Sequence, residues 1–206
     1  MASTVLVVTA LEDVTADRVV AALNEREVPV VRVDPADVGP ALMFGFRIGA
    51  DRPAWRGRLR TASREVEPGE VAAVYYRRPT PYGPRFAHLP RQQRDFAAAE
   101  ARHGLGGVLN ALSGVRYVNH PAAVARAESK PAQLRRLARL GLRIPPTSFG
   151  LVFGCFDFAL TGDGDDPEHW TAIECNPNGQ WGWLPDADDI TEAFAELLTV
   201  ERKGRP

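Results

Sequence analysis

The 206-residue chain is 45% hydrophobic and 25% charged, enough apolar content to bury a core, and its formal net charge of -1 gives no basic surplus of the kind that marks nucleic acid as a main partner. No apolar stretch reaches the length of a bilayer span, and the N-terminus meets Glu12 and Asp13 after a short apolar run with no basic region before it, which argues against a secretory signal. Cys155 and Cys175 lack C-x-x-C spacing and read as free buried thiols of a reducing compartment, so a cytoplasmic protein that neither enters nor spans a membrane is expected.

Thr4 to Thr9 is a β-branched run, followed by Asp13 and Thr15 as helix caps and by Val19, Val20 and Leu23 at helical spacing. Pro29 restarts an extended segment, Val30 to Val33, closed by Asp34-Pro35, so the chain opens as a β-α-β unit with a right-handed parallel crossover. Between Met43 and Glu67 short alternating pieces, Phe44-Phe46-Ile48 and Trp55-Gly57-Leu59, suggest a hairpin excursion. Val71 to Tyr76 is a further buried strand that runs into Arg77-Arg78-Pro79, and the carboxyl end of a strand in an open α/β sheet is where such sheets bind ligands.

Pro90 to Leu112 is Ala-rich and helical in composition, and its Gly104 to Gly107 lacks the preceding strand of a phosphate loop. Val115 to Asn119 reads as a strand. Ser129 caps a helix with Lys130 and Pro131 in its first turn, Leu134, Leu137 and Leu140 on one face and Gly141 at its end; Ile144 to Thr147 is a linker. LVFGCFDFAL and HWTAIECNP form a hairpin across a polar turn, Thr161 to Glu168, and a last amphipathic helix covers Ile190 to Val200 before a charged tail.

Strand alternation sends Glu174 and Asn176 one way and Ile173 and Cys175 the other, while Phe156, Phe158 and Leu160 share a face opposite Asp157. If the two strands pair, the oxygen donors of Asp157, Glu174 and Asn176 converge, and an oxygen-only set suits Mg²⁺. On spacing alone, decoration of a solvated sheet face explains Glu174 and Asn176 equally well. Trp181 and Trp183 flank Gly182 and serve either packing or peptide contact. His88, His103, His120 and His169 are scattered without metal-ligand spacing.

The strings FDFAL and IECNPNGQWGW, with SKPAQLRRLARLGLRIPPT upstream, resemble the ATP-grasp superfamily. With VYYRRPTPYGP they look like the ATP-grasp ribosomal peptide maturases, the graspetide synthetases related to microviridin ligases. The resemblance implies an α/β fold in which a Rossmann-like pre-ATP-grasp domain (1–128) is followed by a linker helix and loop (129–150) and a partial ATP-grasp core (151–206).

It further implies ATP and Mg²⁺ as cofactors, with Asp157, Glu174 and Asn176 as metal ligands and Lys130 touching phosphate. The expected reaction activates Glu or Asp side chains of a ribosomal precursor peptide as acyl-phosphates for capture as ester or amide rings. Arg77 and Arg78 would hold the acidic side chain through paired hydrogen bonds, one of the two being structural, and backbone N–H groups at Asn178 and Gly179 would support the acyl-phosphate. Members of the family commonly pair, and the Ala-rich helix offers a homodimer interface. The lobe that normally supplies phosphate-binding lysines is missing between Gly150 and Leu151, and Lys130 and Lys203 are the only lysines. A non-catalytic peptide-binding or partner subunit is the alternative.

Overall fold

In a computed structural model, residues 3–39, 41–49, 52–129, 132–133, 152–160 and 170–200 are described. A four-stranded parallel sheet forms the centre, in the order β2 (Val30–Val33), β1 (Thr4–Val8), β6 (Val71–Tyr76), β7 (Arg116–Val118). All five residues of β1 are buried, because the sheet is covered on both sides. Val5 and Val7 face one cluster with α1 (Val14–Glu25) and the C-terminal helix α5 (Ala187–Leu198), where Val19, Leu23, Phe194 and Leu198 meet Tyr75 and Trp181. Leu6 and Val8 face a second cluster containing Leu42, Leu59, Val66, Leu105 and Leu109.

That second layer is built by the hairpin excursion and the Ala-rich segment. β3 (Leu42–Gly49), β4 (Arg52–Thr61) and β5 (Glu65–Val66) form an antiparallel sheet, with β3 and β5 at its edges. The Ala-rich segment is helical: α2 (Arg91–Ala101), one π-helical turn (Arg102–Gly106) and α3 (Gly107–Asn110). The glycines of 104–107 thus lie inside a helix.

Local chemistry sets the boundaries. Asp13 caps α1, accepting hydrogen bonds from the backbone N–H groups of Thr15 and Ala16 at 3.2 Å. The helix ends in a Schellman turn, with Glu27 left-handed at φ 57° and the Val28 N–H bonded to the Leu23 carbonyl at 3.0 Å. Past β7, α4 (Pro121–Ala127) carries proline in its first turn, where no N–H is missed.

The segments expected as a hairpin are β8 (Cys155–Leu160) and β9 (Trp170–Asn176), paired antiparallel. The register moves two residues on β9 for one on β8 between Asp157 and Phe158, a bulge at Ile173. Phe158, expected beside Phe156 on the apolar face, is 40% exposed. Lys130, the helix of Leu134 to Gly141, the 144–147 linker, the Gly150–Leu151 junction, the 161–168 turn and the charged tail lie outside the described residues. Neither cysteine forms a disulfide; Cys175 is buried and Cys155 half-buried. No helix among the described residues is long and apolar enough to cross a membrane.

Candidate functional site

Arg77 and Arg78 are adjacent in sequence and part company at the end of β6. The Arg77 side chain is buried, and its backbone N–H continues the ladder to the Val8 carbonyl at 3.0 Å. Its guanidinium donates to Asp13 Oδ2 at 2.8 Å, to the Gly179 carbonyl at 3.1 Å and to Gln180 Oε1 at 3.0 Å. The Thr9 hydroxyl donates to the same Asp13 oxygen at 2.7 Å, and the Thr15 hydroxyl donates to Gln180 Oε1 at 2.9 Å. Arg77 therefore ties the start of α1 and the loop after β9 to the sheet, with its side chain turned inward. Arg78 is exposed, and its carbonyl accepts from the Ala10 N–H at 2.9 Å.

Burial alone would raise the Asp13 carboxyl, but the Thr9 hydroxyl, the Arg77 guanidinium and the Ala16 N–H together hold it below its ordinary value. Burial pushes the neighbouring Tyr75 phenol up to about 12, with Arg77 opposing. Cys155 feels both ends of the arrangement: burial raises its thiol, Arg77 lowers it and Asp157 raises it.

The loop after β9 is fixed as closely. Asn176 Oδ1 accepts from the Asn178 N–H at 3.0 Å, an Asx turn, and the Gly179 N–H reaches the Asn176 carbonyl at 3.3 Å. A Cβ at Gly179 would fall 2.3 Å from both Cβ and Sγ of Cys155, so the loop lies directly against β8. In the β8–β9 register Asp157 stands opposite Glu174 and Cys155 opposite Asn176. Asp157 is exposed and Asn176 half-buried. Among the described residues no group of three or more His, Cys, Asp or Glu could hold a metal ion.

A cleft of about 970 Å³ opens beside this loop. Arg77, Arg78, Thr80 and Tyr82 form one wall, Ala98, Ala99, Arg102 and His103 another, the start of α4 with Glu128 a third, and Asn176 and Asn178 the end. Asp34 pins the first wall, accepting from the Ala36 N–H at 3.2 Å and the Thr80 N–H at 3.0 Å. Burial raises the Tyr82 phenol, with Tyr76 and Asp34 adding to the shift and Arg102 opposing it. Burial also raises Tyr76, where Arg102 opposes and Glu128 adds. Both phenols thus stay neutral donors at physiological pH, beside the Arg102 cation.

Three polar residues escape notice in the sequence. Arg102 falls at i+4 between Ala98 and Gly106, a long cation on an otherwise small-residue strip, which is the signal that marks it. Asn119 is buried; its amide donates to the Phe153 and Pro177 carbonyls at 2.8 and 3.1 Å and accepts from the N–H groups of Val152 and Phe153 at 2.6 and 3.1 Å. Gln133 donates to the carbonyls of Ala127 and, at 2.9 Å, Cys175, while its Oε1 accepts from the Cys175 N–H at 3.3 Å. The two tryptophans also separate: Trp181 is fully buried and stacks on Phe194 at 5.3 Å and 14°, whereas Trp183 is 77% exposed.

A parallel sheet with its cleft at the carboxyl end of β6, joined to an antiparallel ribbon that brings Asn176 to the rim, gives the chain the α/β architecture of a pre-ATP-grasp domain. Residues 4–125 match the family described as the MvdD pre-ATP grasp domain, and the chain belongs to that family, among the graspetide maturase-like proteins. It is similar in fold to macrocyclase MdnC of Microcystis aeruginosa MRC, solved bound with precursor peptide MdnA, at TM-score 0.79 and 19% identity over 95% of this chain and 99% of that one. Macrocyclase MdnB of the same organism matches at TM-score 0.72 and 19% identity, over 94% and 99% of the two chains. A Chryseobacterium gregarium RiPP-associated ATP-grasp ligase, in complex with ADP and a leader and core peptide, matches at 0.59 and 17%, over 95% and 60%. No curated protein matches the chain.

Proposed function

We propose that the protein is an ATP-dependent ligase of ribosomal-peptide maturation, which activates Glu or Asp side chains of a precursor peptide as acyl-phosphates for ring closure as esters or amides. The observation that carries this reading is the cleft, which sets exposed Arg78 and Arg102 on two of its walls and the loop after β9, with Asn176 and Asn178, at its end. The peptide-bound and ADP-bound relatives support it through their shared fold.

In this reading Arg78 holds the substrate carboxylate by paired hydrogen bonds, and Arg102 adds positive charge where phosphate charge accumulates. Arg77 acts through Gly179 and Gln180, keeping the 178–180 loop in place, and the Asn178 and Gly179 N–H groups, both bonded to Asn176, would serve the acyl-phosphate only by exchanging those bonds. Asp157, Glu174 and Asn176 are an oxygen-only donor set, and the pairing of Asp157 with Glu174 in register fits Mg²⁺. Bound there, the ion would neutralise charge on ATP, whose phosphates Lys130 would also meet. Two copies would pair through α2, where Phe96 is 67% exposed.

Titration of the chain with Mg-ATP by calorimetry tests the reading: we expect binding that needs Mg²⁺ and is lost in Glu174→Gln. Arg78→Ala should weaken an acidic peptide substrate about tenfold to a hundredfold while leaving ATP affinity intact. Absence of ATP binding at millimolar concentration overturns the catalytic reading and favours the second one, a non-catalytic peptide-binding subunit. That second reading draws its support from the scarcity of lysine, Lys130 and Lys203 being the only two in the sequence. An intact mass showing residues between Gly150 and Leu151 would restore the first.

A further inference from the structure

The outward face of the β3–β4 hairpin concentrates arginine, with one like-charge pair across the strands. Register pairs Arg47 with Arg56, Gly45 with Arg58 and Met43 with Arg60, and all six residues are exposed. Like charges directly opposite on neighbouring strands destabilise a sheet. Residues 47–67 hold six arginines against three acidic residues, a local charge of +3 in a chain whose net charge is -1. Glu65 and Glu67 are both engaged with Arg58, at 2.6 and 3.5 Å. The inner face of the hairpin is apolar, with Leu42 and Leu59 1% and 2% exposed, and Arg47 stands on the outer one.

Shape adds to charge. A groove of about 700 Å³ crosses the hairpin, with Gly45, Arg47, Arg56, Gly57 and Arg58 in its lining. Gly57 has φ 139°, and a Cβ there would sit 1.9 Å from the Gly45 carbonyl oxygen, so glycine is required for the close approach of the strands. Gly45 is different: a Cβ there would meet nothing within 4 Å. Its missing side chain leaves an open floor between Met43 and Arg47. Among the described residues β3 is also an edge strand, pairing with β4 on one side and, on the other, bridged only at Leu42 by Val38.

We propose that this face is a docking surface for an acidic, extended polypeptide segment, added as a strand along the β3 edge. Alternate side chains of such a segment fall on the arginine face, so carboxylates at every second position meet Arg47 and the arginines of β4. Charge complementarity sets the occupant: a second copy would bring arginine against arginine and is disfavoured. The proposal does not depend on the ligase reading.

The test is fluorescence anisotropy of the full chain with a labelled ten-residue peptide alternating Glu and Thr, its Gln-for-Glu counterpart, and a ten-nucleotide single strand. We expect salt-sensitive binding of the Glu peptide, weakened at least tenfold both in Arg47→Glu and in Gly45→Val, which fills the floor. Both variants should unfold at or above the wild-type midpoint, because one relieves repulsion and the other adds strand propensity at an open position. Equal binding of the Gln peptide, unchanged affinity in the variants, no binding at millimolar peptide, or tighter binding of the oligonucleotide would each overturn the proposal.

Discussion

Arg77 and Asp13 form an ion pair whose side chains are 1% and 4% exposed, with Nε and Oδ2 2.8 Å apart, and it joins the end of β6 to the first turn of α1. Removing one partner of such a pair leaves an uncompensated buried charge. Arg77→Ala should therefore cost about 3–5 kcal/mol in denaturant unfolding. The double variant Arg77→Met/Asp13→Ala should lose less than the two single changes together, since no charge is then stranded. Additive losses would show that the pair is not coupled.

Acid sensitivity follows from the same carboxylate. Asp13 is held below its ordinary 3.8 in the folded state, so it contributes stability that is fully present above that value and lost as pH falls through the lower folded one. Unfolding midpoints measured from pH 6 down to pH 2 should fall less steeply in Asp13→Asn than in wild type. Parallel curves would assign the acid loss to other groups.

At Gly179 an added methyl would lie 2.3 Å from Cys155 Cβ and Sγ, and no rotation of Cys155 moves its Cβ. Gly179→Ala should cost about 1–3 kcal/mol by forcing the loop outward. Adding Cys155→Gly removes the obstructing atoms, and thermal melts should show part of the loss regained. If the loop after β9 matters for ligand binding, Gly179→Ala will weaken it even at temperatures where the chain is folded.

Trp181 and Trp183 should differ sharply in the same assay. Trp181→Ala empties a site packed by Phe153 and Phe194 and should cost about 3–5 kcal/mol, while Trp183→Ala should stay within about 0.5 kcal/mol. Trp181→Phe should cost less than the alanine change, because the indole N–H has no hydrogen-bond partner among the described residues and its removal strands nothing.

The sheet was legible in the sequence because β1 and β6 are buried on both faces, which produces unbroken apolar runs that survive any detail of packing. The hairpin of β8 and β9 was equally readable from its alternation, but not its bulge at Ile173, which depends on pairing. What the pattern cannot decide is which of two adjacent equivalents turns inward. Arg77 and Arg78 differ only in the side of the strand end on which α1 docks, and Trp181 and Trp183 only in which one meets Phe194. Asn119 and Gln133 were invisible for a related reason: their bonds run to backbone groups 33 to 58 residues and 42 residues away respectively, apart from the local bond of Gln133 to Ala127.

Gln133 has one more effect. Its amide meets both the N–H and the carbonyl of Cys175, as the backbone of a neighbouring strand would. A two-stranded ribbon alone is marginal in water, and its outer edge invites pairing with another molecule. Among the described residues, one glutamine side chain here takes the place of a third strand at a single position next to Glu174, occupying the Cys175 N–H and carbonyl that an added strand would otherwise meet.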